Sequence, residues 1–249
     1  MTGAGAAVPR YALYYAPRPE EGLATAASQW LGRNAETGQA RALRSAPAFS
    51  AEQLAGIVAD PRLYGFHGTL KAPMVLGNGM TEGDLLAAVG SFATVRRSVT
   101  VPSMTLACLS GFLALVPSAP CVALQDLADG CVIEFDEFRR PADEAELMRR
   151  RAAGLTPRQD DLLLRWGYPY VFEEWRFHLT LTGRIPDPGE RSAIEELLRR
   201  QFSGFIDRPL VVRDLCVFRQ PAPGRPFTVL ARFTLGGGRR VRSEVWRAA

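Results

Sequence analysis

The chain has 249 residues, 47% of them hydrophobic, and its 30 Lys plus Arg against 26 Asp plus Glu give a formal net charge of +4 and a pI near 9.1. This is the composition of a soluble globular protein, long enough for one large domain or two lobes with a shared core. It suits an anionic substrate, but the arginines are spread among acids, so nucleic acid is not favoured as a partner.

Residues 1–9 lack a basic segment ahead of an apolar one, so no signal peptide is expected. Residues 10–16 alternate and are rich in tyrosine, which predicts a strand. A helix is expected over 19–33, opened by proline and acids, and a short one over about 50–59, where Ser50 and Gln53 form a capping signal. After a strand near 67–71 comes a helix over 81–94 capped at Thr81 or its neighbour, then strands over 99–106 and 112–116. The apolar stretch 104–117 is interrupted by Ser110 and Gly111. It reads as a hairpin, too short to span a bilayer, and no membrane partner is expected.

Residues 120–170 carry apolar side chains at helical spacing, with Thr156-Pro157 as an N-cap followed by proline at the first helical position. This is expected to be a helical insert between an N-terminal half of about 1–119 and a C-terminal half of about 171–249. The arginines at 139, 140, 149, 150, 151 and 158 read chiefly as a solvated face, the alternative being a lid that brings arginine to a second phosphate. The insert ends in Trp166-Gly167-Tyr168-Pro169-Tyr170, where Tyr168 and Tyr170 are candidate substrate contacts as well as candidate packing residues. A strand over 175–184, a helix over 188–202, strands over 210–218 and 227–235, a triglycine turn and a last strand over 239–245 complete the chain. Cys108, Cys121, Cys131 and Cys216 have no paired spacing and are expected to be buried thiols in a reducing cytoplasm.

The most informative feature is a repeated string. Phe66-His67-Gly68-Thr69-Leu70 and Phe177-His178-Leu179-Thr180-Leu181 contain both histidines of the chain. Side chains on a strand alternate between faces. His67, Thr69 and Lys71 are therefore expected on one face, and Arg176, His178, Thr180 and Thr182 on one face of the second copy, with Arg176 and Thr182 as candidate substrate contacts. Histidine exchanges a proton near neutrality, and two of them supply a general acid and a general base. Two imidazoles without H-E-x-x-H or C-x-x-C do not complete a zinc site, so no metal and no other cofactor is expected. Lys71 is the only lysine of the chain and is a candidate phosphate contact.

The paired His-x-Thr strings resemble those of the 2H phosphoesterase superfamily. Their flanks, Tyr64-Gly65-Phe66-His67-Gly68-Thr69-Leu70-Lys71-Ala72-Pro73 and Trp166-Gly167-Tyr168-Pro169-Tyr170-Val171, and the opening Arg10-Tyr11-Ala12-Leu13-Tyr14-Tyr15-Ala16-Pro17, are similar to a bacterial family encoded beside phosphonate-utilisation genes. The resemblance implies an α+β fold of two lobes, with antiparallel sheets lining a cleft and helices outside. It implies a metal-independent phosphodiesterase acting on a cyclic or 2′-linked phosphodiester, with a phosphorylated ribose cyclic phosphate as the finer expectation. His67 and His178 would be the acid-base pair, and Thr69 and Thr180 would bind phosphate oxygens. The alternatives are an RNA-end 2′,3′-cyclic phosphodiesterase or 2′,5′ ligase, and a non-catalytic module for phosphorylated ligands. Gly68 stands where that family commonly has alanine, and the missing methyl is expected to loosen the strand locally.

Overall fold

Period-two alternation along residues 10–15 builds the central strand. Tyr11, Leu13 and Tyr15 enter the main core, while Ala12 and Tyr14 join a smaller cluster on the opposite sheet face. The computed structural model describes residues 8–43, 46, 48–237 and 239–240. In chain order the elements are β1 (Arg10–Tyr15), α1 (Gly22–Leu31), α2 (Ala51–Ile57), α3 (Ala59–Tyr64), β2 (Gly68–Met74), α4 (Glu82–Thr94), β3 (Val99–Val101), β4 (Met104–Leu109) and β5 (Phe112–Pro117). There follow α5 (Val122–Glu134), α6 (Glu144–Arg151), α7 (Pro157–Trp166), a 3-10 turn (Phe172–Glu174), β6 (Leu179–Thr180), α8 (Pro188–Gln201), β7 (Leu210–Val212), β8 (Asp214–Gln220), β9 (Thr228–Thr234) and β10 (Arg239–Arg240).

The starts expected near Ser50, Thr81 and Thr156 are observed with their chemistry, whereas the helix expected from Pro19 begins at Gly22 without a side-chain cap. Ser50 with Gln53, Thr81 with Asp84, and Thr156 with Gln159 each form a reciprocal capping box, and Pro157 opens α7. β4 and β5 form the expected hairpin, with Ser110 and Gly111 both at positive φ in its two-residue turn. The strand expected over 175–184 is ordered as β-structure only at Leu179–Thr180, and α3 was not anticipated. The last expected strand is described only at Arg239–Arg240, and the rest of it lies outside the described residues.

The fold is the expected α+β class with antiparallel strands. Eight strands form one sheet in the order β10-β9-β8-β1-β2-β6-β5-β4, and β3 pairs with β7 apart from it. The strands are shared between the sequence halves: β1 and β2 lie beside β8–β10, while β6 lies beside β5 and β4. The main core contains buried side chains of α1, α4, α5 and α8 together with the inward residues of the strands. Residues 120–170 are helical as expected, and α5 packs against β2. Among the described residues no helix is long and apolar enough to cross a membrane. The cysteines are free; Cys131 and Cys216 are buried, but Cys108 is exposed and Cys121 half-buried, because these two occur where strand β4 and the loop before α5 meet solvent.

Candidate active site

The two motif strands are neighbours at the centre of the sheet. Gly68 pairs with Leu179 in the antiparallel β2–β6 ladder. By that register His67 is level with Thr180, and Thr69 with His178, all four on the face opposite Gly68 and Leu179. The histidines are diagonal neighbours, a relation that puts Cα atoms roughly 7–8 Å apart. Each stands one residue ahead of its strand.

Gly68 is required by this pairing. A Cβ there would lie 2.3 Å from Phe177 Cε2 and 3.0 Å from Leu179 Cδ2. The expectation that the missing methyl loosens β2 is corrected: the buried Phe177 ring occupies its space.

Each imidazole is oriented in the same way. His67 Nδ1 is 2.8 Å from the Gly65 carbonyl oxygen, and His178 Nδ1 is 2.8 Å from that of Arg176. A carbonyl only accepts, so Nδ1 carries the hydrogen in both rings and Nε2 holds the lone pair of the neutral form. Gly65 makes this possible for His67. It ends α3 at φ 75, in the region that favours glycine, and a Cβ there would meet Ala35 at 2.7 Å. The His67 ring is stacked on Tyr14, with centroids 3.8 Å apart and planes at 22°. Burial pushes the His67 pKa down to about 4, with a further push from nearby His178, against the opposing effect of the Gly65 hydrogen bond. Burial also lowers His178, opposed by its bond to Arg176.

His67, Thr69 and Thr180 line an open cleft of about 380 Å³, with Tyr14, Tyr64, Phe112 and Tyr168 among its aromatic walls and Arg10, Arg150, Arg184 and Asp60 among its charged ones. Both threonines are half-buried, and among the described residues no hydrogen bond ties up either hydroxyl. No group of three His, Cys, Asp or Glu side chains is placed to hold a metal ion among the described residues.

Several expectations are corrected. Lys71 does not share the face of His67 and Thr69. The β1–β2 register pairs Tyr14 with Thr69 but Leu13 with Lys71, so Leu70 is an extra residue that reverses the parity of β2. Lys71 therefore enters the core, where Nζ donates to the Val132 carbonyl at 3.0 Å and lies 3.6 Å from Asp136. Val132 is in the last turn of α5, whose carbonyls lack helical partners, so the ammonium caps that helix. Burial lowers the Lys71 pKa to about 8.

A second bulge turns Thr182. Leu181 and Thr182 both donate their N–H to the Leu113 carbonyl, and the buried Thr182 hydroxyl accepts from Leu113 N–H at 2.9 Å. It is thus committed to the sheet although the residue borders the cleft. Arg176 lines a separate groove with Trp175 and Phe177. Tyr170 is 40% exposed and lies edge-on to Tyr168, outside the cleft lining, whereas Tyr168 is in it. Sequence reasoning missed Arg10, Tyr14, Tyr64 and Phe112 as cleft residues. The alternation of β1 puts Arg10 and Tyr14 on one face, and only the position of the motif strands says which face that is. Of the arginines in the insert, Arg150 lines the cleft.

A family model described as "Protein of unknown function (DUF1045)" matches residues 69–228. The chain is 37% identical over 231 residues to a protein of Janthinobacterium sp. (strain Marseille) named ribose 1,5-bisphosphate phosphokinase PhnN, covering 92% of this chain and 51% of that protein. It is 34% identical over 239 residues to a protein of the same name from Laribacter hongkongensis (strain HLHK9), covering 94% and 54%. The chain thus spans about half the length of the curated relatives it matches. Among solved structures it is similar to E. coli LigT complexed with NADP+, at 15% identity and a TM-score of 0.41, covering 93% of this chain and 99% of that one. A structure titled as a phosphoesterase matches at 14% identity and a TM-score of 0.42, covering 92% and 99%.

Proposed function

Starting from a chain that belongs to the DUF1045 family, we propose that it is a phosphodiesterase of the 2H type, hydrolysing a cyclic phosphodiester with His67 and His178 as its acid-base pair. One observation carries this reading. The two imidazoles are diagonal neighbours on one sheet face, each with Nδ1 committed to a carbonyl and Nε2 available.

The chemistry follows from the tautomers. Neutral His67 accepts a proton at Nε2 from the attacking water as its oxygen bonds to phosphorus. Protonated His178 gives its Nε2 proton to the sugar oxygen as that oxygen's bond to phosphorus breaks. The product is a phosphate monoester, and the pair has moved its proton from His178 to His67, to be reset through solvent. His67 is taken as the base because burial lowers its pKa to about 4, which keeps it neutral, and this leaves His178 as the acid. Thr69 and Thr180 donate to the non-bridging oxygens, where charge is stabilised in the transition state.

The finer reading is a cyclic phosphate of a phosphorylated ribose. The names of the curated relatives support it, since they concern a ribose bisphosphate. Their phosphokinase step is not assigned to this chain. Its one lysine is buried Lys71, and it has no G-x-x-x-x-G-K-[ST] loop to cradle a nucleotide phosphate. The test is a turnover screen of cyclic ribose phosphates and 2′,3′-cyclic nucleotides. Release of phosphate monoester from the ribose compounds is expected. No hydrolysis of any cyclic diester overturns the reading.

A further inference from the structure

We propose that Arg10 and Arg150 form a second anion subsite, which binds a phosphate monoester carried by the same substrate whose diester sits at the histidine pair. The proposal rests on the phosphodiesterase reading for the diester, and adds the residues that hold the second phosphate group of a doubly phosphorylated sugar.

Both arginines line the cleft that contains His67, Thr69 and Thr180, yet they come from distant parts of the chain. Arg10 opens β1 on the face of Tyr14. Tyr14 is level with Thr69, and four residues of strand put the Arg10 Cα roughly 13 Å from that of Tyr14. The rings between Arg10 and His67 are in contact: the Arg10 guanidinium is 5.5 Å from the Phe227 centroid, Phe227 stacks on Tyr64 at 5.3 Å, and Tyr64 is 6.0 Å from His67.

Each guanidinium is held in place with donors to spare. Arg10 donates Nε to the neutral amide oxygen of Gln220 at 2.7 Å, and among the described residues it has no carboxylate partner. Among the described residues no hydrogen bond takes up either of its terminal nitrogens. Arg150 uses Nε and Nη2 on Glu146 and lies over the Tyr168 ring at 5.2 Å, leaving Nη1. Pre-oriented planar donors of this kind suit phosphate. Arg184 is a poorer candidate. It follows Thr180 at the other end of β6, where the Asp60 carboxylate lies 3.7 Å from the position of a Cβ on Gly183 and opposes an anion.

Isothermal titration with ribose 1,5-bisphosphate and with ribose 5-phosphate tests the subsite without requiring turnover. A failure here is therefore distinct from a failure to hydrolyse cyclic diesters. The bisphosphate is expected to bind about tenfold or more tightly than the monophosphate. R10Q and R150Q should each lower the bisphosphate affinity by about tenfold and shrink that difference. R158Q, on the same insert but paired with Glu173 outside the cleft, should keep it. Circular dichroism checks folding, and R150Q, on a helix with no buried residue, suffices should R10Q unfold. Equal affinities in the wild type, or an undiminished difference in folded R150Q, overturns the proposal.

Discussion

His67 and His178 are diagonal neighbours across the β2–β6 pair, and each donates Nδ1–H to the carbonyl two residues behind it. This equivalence means that the two rings differ by environment and not by tautomer. His67 lies against Tyr14, with centroids 3.8 Å apart, while the Phe112 ring lies 5.7 Å from His178.

Replacing either histidine by alanine is expected to lower kcat by about a hundredfold or more, the usual scale for positioned acid-base catalysis. The double variant should lose much less than the product of the two, because the residues act as one unit. Steady-state kinetics on the best cyclic diester, with folding checked by circular dichroism, decides. Full activity in a folded single variant removes the mechanism's acid or its base.

The pH profile of kcat/KM should be bell-shaped with its optimum below 6.5. The base must be neutral, so activity is lost as pH falls through the lowered pKa of His67, about 4. The acid must be protonated, so activity is lost as pH rises through the lowered pKa of His178. The limbs report the free enzyme and belong to the coupled pair. An optimum above pH 7.5 contradicts this assignment.

Turnover should survive EDTA, since the mechanism routes no step through a metal ion. Activity abolished by chelation and restored by one divalent cation would reject it.

Gly68→Ala is expected to destabilise the protein by about 1–3 kcal/mol, the scale of overpacking in a filled core. The new methyl must displace the Phe177 ring, which lies 2.3 Å from its position. Denaturant unfolding measures the change, and wild-type stability in the variant shows that the ring yields freely.

Lys71→Met should leave KM unchanged, because Lys71 is in the core. Its effect is on stability. The folded pKa, about 8, lies below the ordinary lysine value of 10.5. Between these values the unfolded chain binds more protons, so the wild type gains stability relative to the variant as pH rises from 8 to 10.5, by up to about 3 kcal/mol. Parallel pH-stability curves for the two proteins would show that the lysine is not desolvated.

The amino-acid sequence by itself determined the local features of this protein. The helix caps at Ser50, Thr81 and Thr156 were legible because a cap is made by residues close together in the chain, although the reciprocal partner was read only for Ser50. The faces of His67 with Thr69 and of His178 with Thr180 were legible because alternation is a property of an unbroken strand. The tertiary structure decided the rest. Strand parity holds only until a bulge, and bulges arise from the partner strand: the extra residue at Leu70 sent Lys71 to the core, and the shared Leu113 carbonyl turned Thr182 into the sheet. Which strands are neighbours is likewise a long-range choice. It placed β2 beside β6, brought Tyr14 and Arg10 of β1 to the same face, and set Arg150 of the insert at the cleft. No local pattern encodes those contacts, because they join residues far apart in the chain whose proximity exists only once the sheet has formed.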